Sequence, residues 1–309
     1  MLVSGHGNGR FRIINALVAI LCLMMATLCQ AGLGAGKFSA TTYLGLHKPA
    51  IDDLNKGELL SPISGTATIV DFETDLTTTQ RVYFDNPLPP MNLGVNAGLE
   101  LQWRLDDKWH LIFGGGTWES SSRSIREGPF AIQGAETWVE NVRAVKLSYT
   151  EFFLGLRRDV ITRSAGHKLY YRVTLNEIFD IDFQENLLFR YQEEPAEGVN
   201  KTILMNSQAT GVLALQPGFG WEYFLNKWIS LGVDATYLVG LKRANLQENG
   251  APKRDFLFSD NLSLWLPQRI GPEGNLEYLD KDAEHSNDYK PIKLNFDGWK
   301  ILLRLSIHY

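Results

Sequence analysis

The stretch from Trp299 to Tyr309 constrains this chain more than any other. Its odd positions, Trp299, Ile301, Leu303, Leu305, Ile307 and Tyr309, are all apolar. Its even positions, Lys300, Leu302, Arg304, Ser306 and His308, are polar with Leu302 as the exception. A period of two over this length defines a strand with one greasy and one polar face. Strands in soluble proteins average about 5–6 residues, and strands that cross a membrane about 9–11. Two readings are open at this point, the edge of a soluble sandwich and the wall of a membrane barrel.

The N-terminus bears on the compartment. Arg10 and Arg12 precede a run from Ile13 to Cys29 that is apolar apart from Asn15 and Thr27, and no acidic residue occurs before Asp52. Residues 1–31 read as a secretory signal peptide ending in Cys29-Gln30-Ala31. Residues 32–309 then form one domain. Cys22 and Cys29 both fall in the leader, so disulfides, thiol nucleophiles and cysteine metal sites are not expected in the mature chain. Without Arg10 and Arg12, 28 basic residues face 35 acidic ones, a net charge of −7. That leaves no basic domain for nucleic acid. No later apolar run is long enough for a helical span, so a membrane-embedded form must be a closed barrel, in which every backbone group is satisfied between strands.

The same alternation recurs along the chain. Residues 37–48 place Phe38, Ala40, Thr42, Leu44 and Leu46 on one face. Met91 to Trp103 is the clearest internal strand, with Leu93, Val95, Ala97, Leu99 and Leu101 opposite Asn92, Asn96, Glu100 and Gln102. A short turn at Leu105–Lys108 leads to a strand from Trp109, so Trp103 and Trp109 flank the turn as an aromatic girdle would. Residues 143–158 are ambiguous. Phe152, Leu154 and Leu156 share one face, but Val145, Leu147 and Tyr149 share the other. A bulge near Tyr149, or a strand that protrudes beyond the bilayer, reconciles them. After a turn at Asp159–Gly166, Leu169, Tyr171, Val173 and Leu175 form a greasy face. Leu213 to Tyr223 and Ile229 to Val239 form a final pair around the turn 224–227. Residues 49–90, 119–142, 181–204 and 243–290 read as long polar connections, with a hairpin of 66–72 and 80–84 inside the first.

The expected fold is therefore all-β, an antiparallel transmembrane barrel of eight strands, or ten if parts of the first or last long connection insert. Connections alternate long and short, as external loops and periplasmic turns do. The aromatic last residue, with apolar residues at alternate positions before it, resembles the closing strand of bacterial outer-membrane barrels. The architecture, and the hairpin Gly218-Phe219-Gly220-Trp221-Glu222-Tyr223, resemble the small eight-stranded OmpA and OmpW type. That resemblance implies an outer-membrane location and a monomer surrounded by membrane lipid and lipopolysaccharide. It also implies that Trp299, Ile301, Leu303, Leu305, Ile307 and Tyr309 serve as the strand used by the barrel-assembly machinery. Because the sequence ends on this strand, no peptidoglycan-binding domain is expected.

The polar faces then point inward. They carry Glu100, Glu151, Glu222 and Asp234 against Arg104, Arg157, Arg172, Lys300 and Arg304. Eight strands enclose a space that side chains fill, and charges there must pair. Gly94, Gly98, Gly218, Gly220 and Gly232 leave room for the long cations. The same charges could instead line a narrow path for ions or small solutes. His47 with Ser39 or Thr41 at one rim, and His110 and His308 at the other, show no Ser/His/acid spacing, so no catalytic activity is expected. A lipid-modifying enzyme is the third reading. Glu273, Glu277, Asp280, Asp282, Glu284 and Asp288 make the last loop acidic without the spacing of a calcium loop, so neither metal nor cofactor is expected. The expected function is a surface-exposed structural or binding protein; the alternative is a narrow channel.

Overall fold

A computed structural model describes residues 37–60, 63–71, 76–132, 135–163, 166–193, 197–198, 200–209, 211–247, 253–255, 262–263, 268–270, 276–278, 290–291 and 293–309. The expected signal peptide lies outside them, as does the acidic stretch 273–288 apart from 276–278.

Eight strands form the wall: β1 (Phe38–Pro49), β2 (Gly94–Arg104), β3 (Trp109–Ile132), β4 (Ala135–Arg163), β5 (His167–Tyr191), β6 (Val212–Phe224), β7 (Ile229–Gly240) and β8 (Gly298–His308). Each pairs antiparallel with the next, and β8 pairs back onto β1, so the ring closes with eight. In that seam Leu44 lies opposite Leu303 and Tyr43 opposite Arg304. Closure removes the sheet edges that would otherwise stay unpaired.

Side chains alternate as the pleat requires. On β8, Leu303 is 62% exposed and Ile301 56%, whereas Lys300 between the wall and the interior is 0% exposed. The distribution is the inverse of a soluble barrel, with apolar side chains outside and charged ones inside. Leu302, the one apolar residue on the inner face of β8, packs with Tyr43 and Phe153 in a small cluster.

Two short turns are built alike. In Leu105–Lys108, Asp106 Oδ1 accepts the backbone N–H groups of Lys108 and Trp109, both at 2.7 Å. In Leu225–Trp228, Asn226 Oδ1 accepts those of Trp228 and Ile229 at 2.8 and 2.9 Å. The N–H groups of Lys108 and Trp109 hold the Asp106 carboxyl below its usual range. Exposed Trp103, Trp109 and Trp228 cluster at this end.

The opposite end is taller than expected. β3, β4 and β5 continue far past their neighbours, and the segments 119–132, 135–142 and 181–191 are ladder, not loop. Their outward positions there, such as Glu119, Ser121 and Arg123, are exposed and polar. Inward positions such as Ser120 are polar too, so no period-two contrast marks the strand. Asn200–Ala209 pairs with the upper half of β5. The hairpin Ile63–Asp71 with Leu76–Phe84 is present, its bounds wider than expected.

The ambiguity of 143–158 resolves through protrusion. Odd residues of β4 face inward throughout, from Arg143 to Asp159. In the tall half, Leu147 and Tyr149 pack against Ile51, Leu54, Leu59, Leu88 and Met91, which the chain between β1 and β2 folds back over the ring. The register shift beside Tyr149 lies on β5, where two residues, Asp180 and Ile181, oppose one. Asp180 has φ of 51° there, and the inward face of β5 changes parity.

Candidate functional site

The interior of the ring is the candidate site. Eight of the nine charged residues expected on the inner faces are buried in it, and they meet in three tiers.

At the short-turn end, Arg157 (β4) donates to Asp159 Oδ1 at 2.9 Å, to Glu222 Oε2 (β6) at 2.6 Å and to Gln102 Oε1 (β2) at 3.2 Å. Asp159 also faces Lys168 at 3.3 Å and His110 at 3.2 Å. In the middle, Arg172 (β5) and Arg304 (β8) each bridge Asp234 (β7) and Glu100 (β2). Tyr170 donates its hydroxyl to Asp234, and the Arg157 guanidinium lies 3.6 Å over the Tyr170 ring. In the upper tier, Lys300 (β8) donates to both oxygens of Glu151 (β4), at 2.8 and 2.7 Å. Asn96 and Asn176 donate to the same carboxylate at 3.2 and 3.1 Å. Asn176 also donates to Gln216, which donates to Thr236, both at 2.8 Å.

Six strands thus contribute charges that satisfy one another across the axis. Each carboxylate carries at least one cation and further donors, the condition under which buried charge is tolerated. Above the upper tier the interior turns apolar. His47, Trp118, Tyr149 and Phe296 form an aromatic layer, with Trp118 stacked on Tyr149 at 5.2 Å and Tyr149 edge-on to Phe296 at 5.0 Å. The cluster around Leu147, Phe183 and Leu238 continues from it.

Arg104 does not join the network. It is exposed at the end of β2, where its backbone N–H donates to the carbonyl of Lys37 at 2.8 Å, and its side chain clears the rim. Asp159, expected in a turn, is instead a network member, and its odd parity with Glu151 and Arg157 was the available signal. Tyr170, Gln102, Asn176 and Gln216 sit on inward faces, but a hydrogen-bonding role is not visible in a neutral residue without its neighbours.

The inward histidines are held by hydrogen bonds and ion-pair contacts within the ring. His47 Nε2 lies 3.1 Å from the Phe296 carbonyl, and its Nδ1 lies 2.9 Å from the Tyr149 hydroxyl. Thr41 bonds Ser306 at 2.8 Å, away from His47. Ser230 Oγ lies 2.7 Å from His308 Nε2 but donates to Glu222 at 2.5 Å. Glu222 approaches that same ring nitrogen, at 3.6 Å, so it cannot orient the imidazole from the far side as a triad acid does. Among the described residues no group of three or more His, Cys, Asp or Glu could hold a metal ion.

The tiers require close packing at one glycine in particular. A Cβ on Gly220 would collide with the Tyr170 ring and the Asp234 carboxylate. Gly220→Val is expected to displace Tyr170 and to lower stability by about 1–3 kcal/mol. Urea unfolding followed by electrophoretic mobility of unheated samples measures this. An unchanged midpoint would mean the middle tier is loosely packed.

No protein-family model matches the chain, and no curated protein does. A crystal structure of a Pseudomonas aeruginosa FadL homologue is similar over 89% of this chain and 90% of its own, at 9% identity and a TM-score of 0.18. The TodX monoaromatic hydrocarbon channel deltaS2 mutant is similar over 90% and 92%, at 10% identity and a TM-score of 0.16. Neither likeness carries an argument at those scores, and the barrel rests on the ring of eight strands itself.

Proposed function

We propose that this chain is a monomeric integral outer-membrane barrel of the small OmpA and OmpW-like architecture, and that it works as a surface-exposed structural or binding protein without catalytic activity. The observation that carries the reading is the filled lumen. Charged side chains from six strands lock across it, and an apolar layer lies over them. Such an interior serves as a post that holds the wall, leaving the tall sheet of β3, β4 and β5 as the surface that meets other molecules.

Membrane placement is supported by the outward band. Leu44, Leu99, Phe152, Leu175, Phe219, Val233 and Leu303 lie outward around the ring, most of them highly exposed. An apolar belt that surrounds the protein far exceeds the patches tolerated on soluble monomers. Lipid, including lipopolysaccharide at the outer leaflet, is the partner suited to it, and 299–309 is the segment suited to the assembly machinery.

Labelling of single cysteines on intact cells tests this reading. Arg126→Cys, high on β3, is expected to react with an impermeant maleimide. Asp107→Cys and Lys227→Cys, in the short turns, are expected to react only after the outer membrane is permeabilised. The opposite pattern would invert the barrel, and uniform labelling of released protein would remove it from the membrane. A narrow channel is the second reading, favoured by the same charges should water thread the tiers.

A further inference from the structure

The wall has a step at the outer end of its apolar band. β2 begins at Gly94, and just before it Met91 is buried in the apolar cluster, whereas neighbouring β3 continues up to Ile132. Ser120 Oγ donates to the Leu93 carbonyl at 2.9 Å and Ser122 Oγ to that of Pro89 at 2.6 Å, which pins the departing chain to the side of β3. At the step lies an open groove of about 510 Å³, lined by Leu46 of β1, by Leu93, Val95 and Ala97, and by Thr117, Glu119 and Ser121 of β3. Ala97 is paired with Thr117, so two small outward side chains form its floor between the larger Leu46 and Leu93.

The groove holds one carboxylate, Glu119, and two cations stand just beyond its lining. Lys48 is the next outward position beyond Leu46, and Arg123 the next beyond Ser121. Both are exposed, and neither pairs with a carboxylate among the described residues. The nearby acid, Glu119, is held by Lys146 of β4 at 2.6 Å. Adjacent strands lie about 5 Å apart, so Lys48 and Arg123 flank β2 within reach of one group placed between them. A largely apolar floor at the depth of acyl chains, with two cations beside its outer end and its one carboxylate already paired, complements an anionic amphiphile.

We infer that this step holds one membrane phospholipid of net negative charge, with an acyl chain against Leu46, Leu93, Val95 and Ala97 and its phosphate between Lys48 and Arg123. The inference rests on the outward band facing lipid.

Native mass spectrometry of the full protein in nonionic detergent tests it, with dimyristoyl phosphatidylglycerol, dimyristoyl phosphatidylcholine or inorganic phosphate added. One phosphatidylglycerol is expected to be retained in preference to phosphatidylcholine, and phosphate alone not at all. Ala97→Phe, which fills the floor, should cut retention of phosphatidylglycerol at least tenfold, a threshold of about 1.4 kcal/mol. Ala235→Phe, on the outward face of β7, should leave it unchanged. Lys48→Gln and Arg123→Gln should each weaken phosphatidylglycerol about fivefold and leave phosphatidylcholine unaffected. These two variants decide the matter if Ala97→Phe does not fold. Equal retention of phosphatidylglycerol by wild type and by the Lys48→Gln, Arg123→Gln double variant would overturn the inference, as would retention of phosphate alone. A normal detergent belt without a preferred lipid would sink the groove alone. Protein that stays monodisperse without detergent would sink the membrane reading beneath it.

Discussion

Lys300→Met is expected to destabilise the barrel by about 3–5 kcal/mol, because it strands the Glu151 carboxylate in the upper tier. Lys300 is fully buried and donates to both carboxylate oxygens, so no solvent replaces it when it is removed. Two amides, Asn96 and Asn176, would remain on Glu151, and neutral donors do not offset a buried charge of that kind. Lys300→Met combined with Glu151→Gln removes both charges and keeps an acceptor for those amides. Most of the loss should then return, which a double-mutant cycle by urea unfolding reads directly. A single variant costing under about 1 kcal/mol would indicate a hydrated pair, and with it an open upper tier.

The outward face of β8 gives the second large effect. Leu303→Arg, in the middle of the strand, is expected to cost about 2–4 kcal/mol in a bilayer, and Ile307→Arg near the short-turn end about 0–1 kcal/mol. The difference arises from depth, since an arginine at the edge reaches headgroups and water while one at the midplane cannot. Reversible unfolding from lipid vesicles measures both. Equal costs at the two positions would mean that this face does not lie against hydrocarbon.

Much of the wall was legible because one physical fact, burial on alternate sides, writes itself into residue type. On β2, β6, β7 and β8 outward-facing and lumen-facing positions differ so sharply that faces, and the charges on them, followed from parity. The tall half was not legible for the same reason turned round. There both sides of β3 are polar, since water meets Glu119 and Arg123 outside while Ser120 meets the returning chain inside. β4 carries an inward face that is apolar at Leu147 and charged at Glu151, because the segment between β1 and β2 covers only the upper part. Asp159 looked like a turn residue by type, yet its parity placed it in the lumen. On β5, Phe179, Ile181 and Phe183 share parity, but the extra residue at Asp180 leaves Phe179 outside and turns the other two in. A bulge of this kind depends on backbone geometry, and an aspartate is only a weak marker of it.

The lumen network shows the same division. Charge type and strand parity were enough to nominate its members, whereas their pairing depends on stagger around the ring. Glu100 meets Arg304 because the registers of β8 and β2 on β1 bring them within two positions, and Arg172 reaches it from β5 across the lumen; no spacing within one strand encodes that. Arg104 failed as a member because β2 ends there.

Single-channel recording in a planar lipid bilayer shows whether the lumen is closed. Eight strands leave an interior that side chains fill, and here three charged tiers and an aromatic layer fill it. Refolded wild-type protein is expected to insert without steady conductance. Large, stable openings of porin size from the wild-type protein would contradict the account.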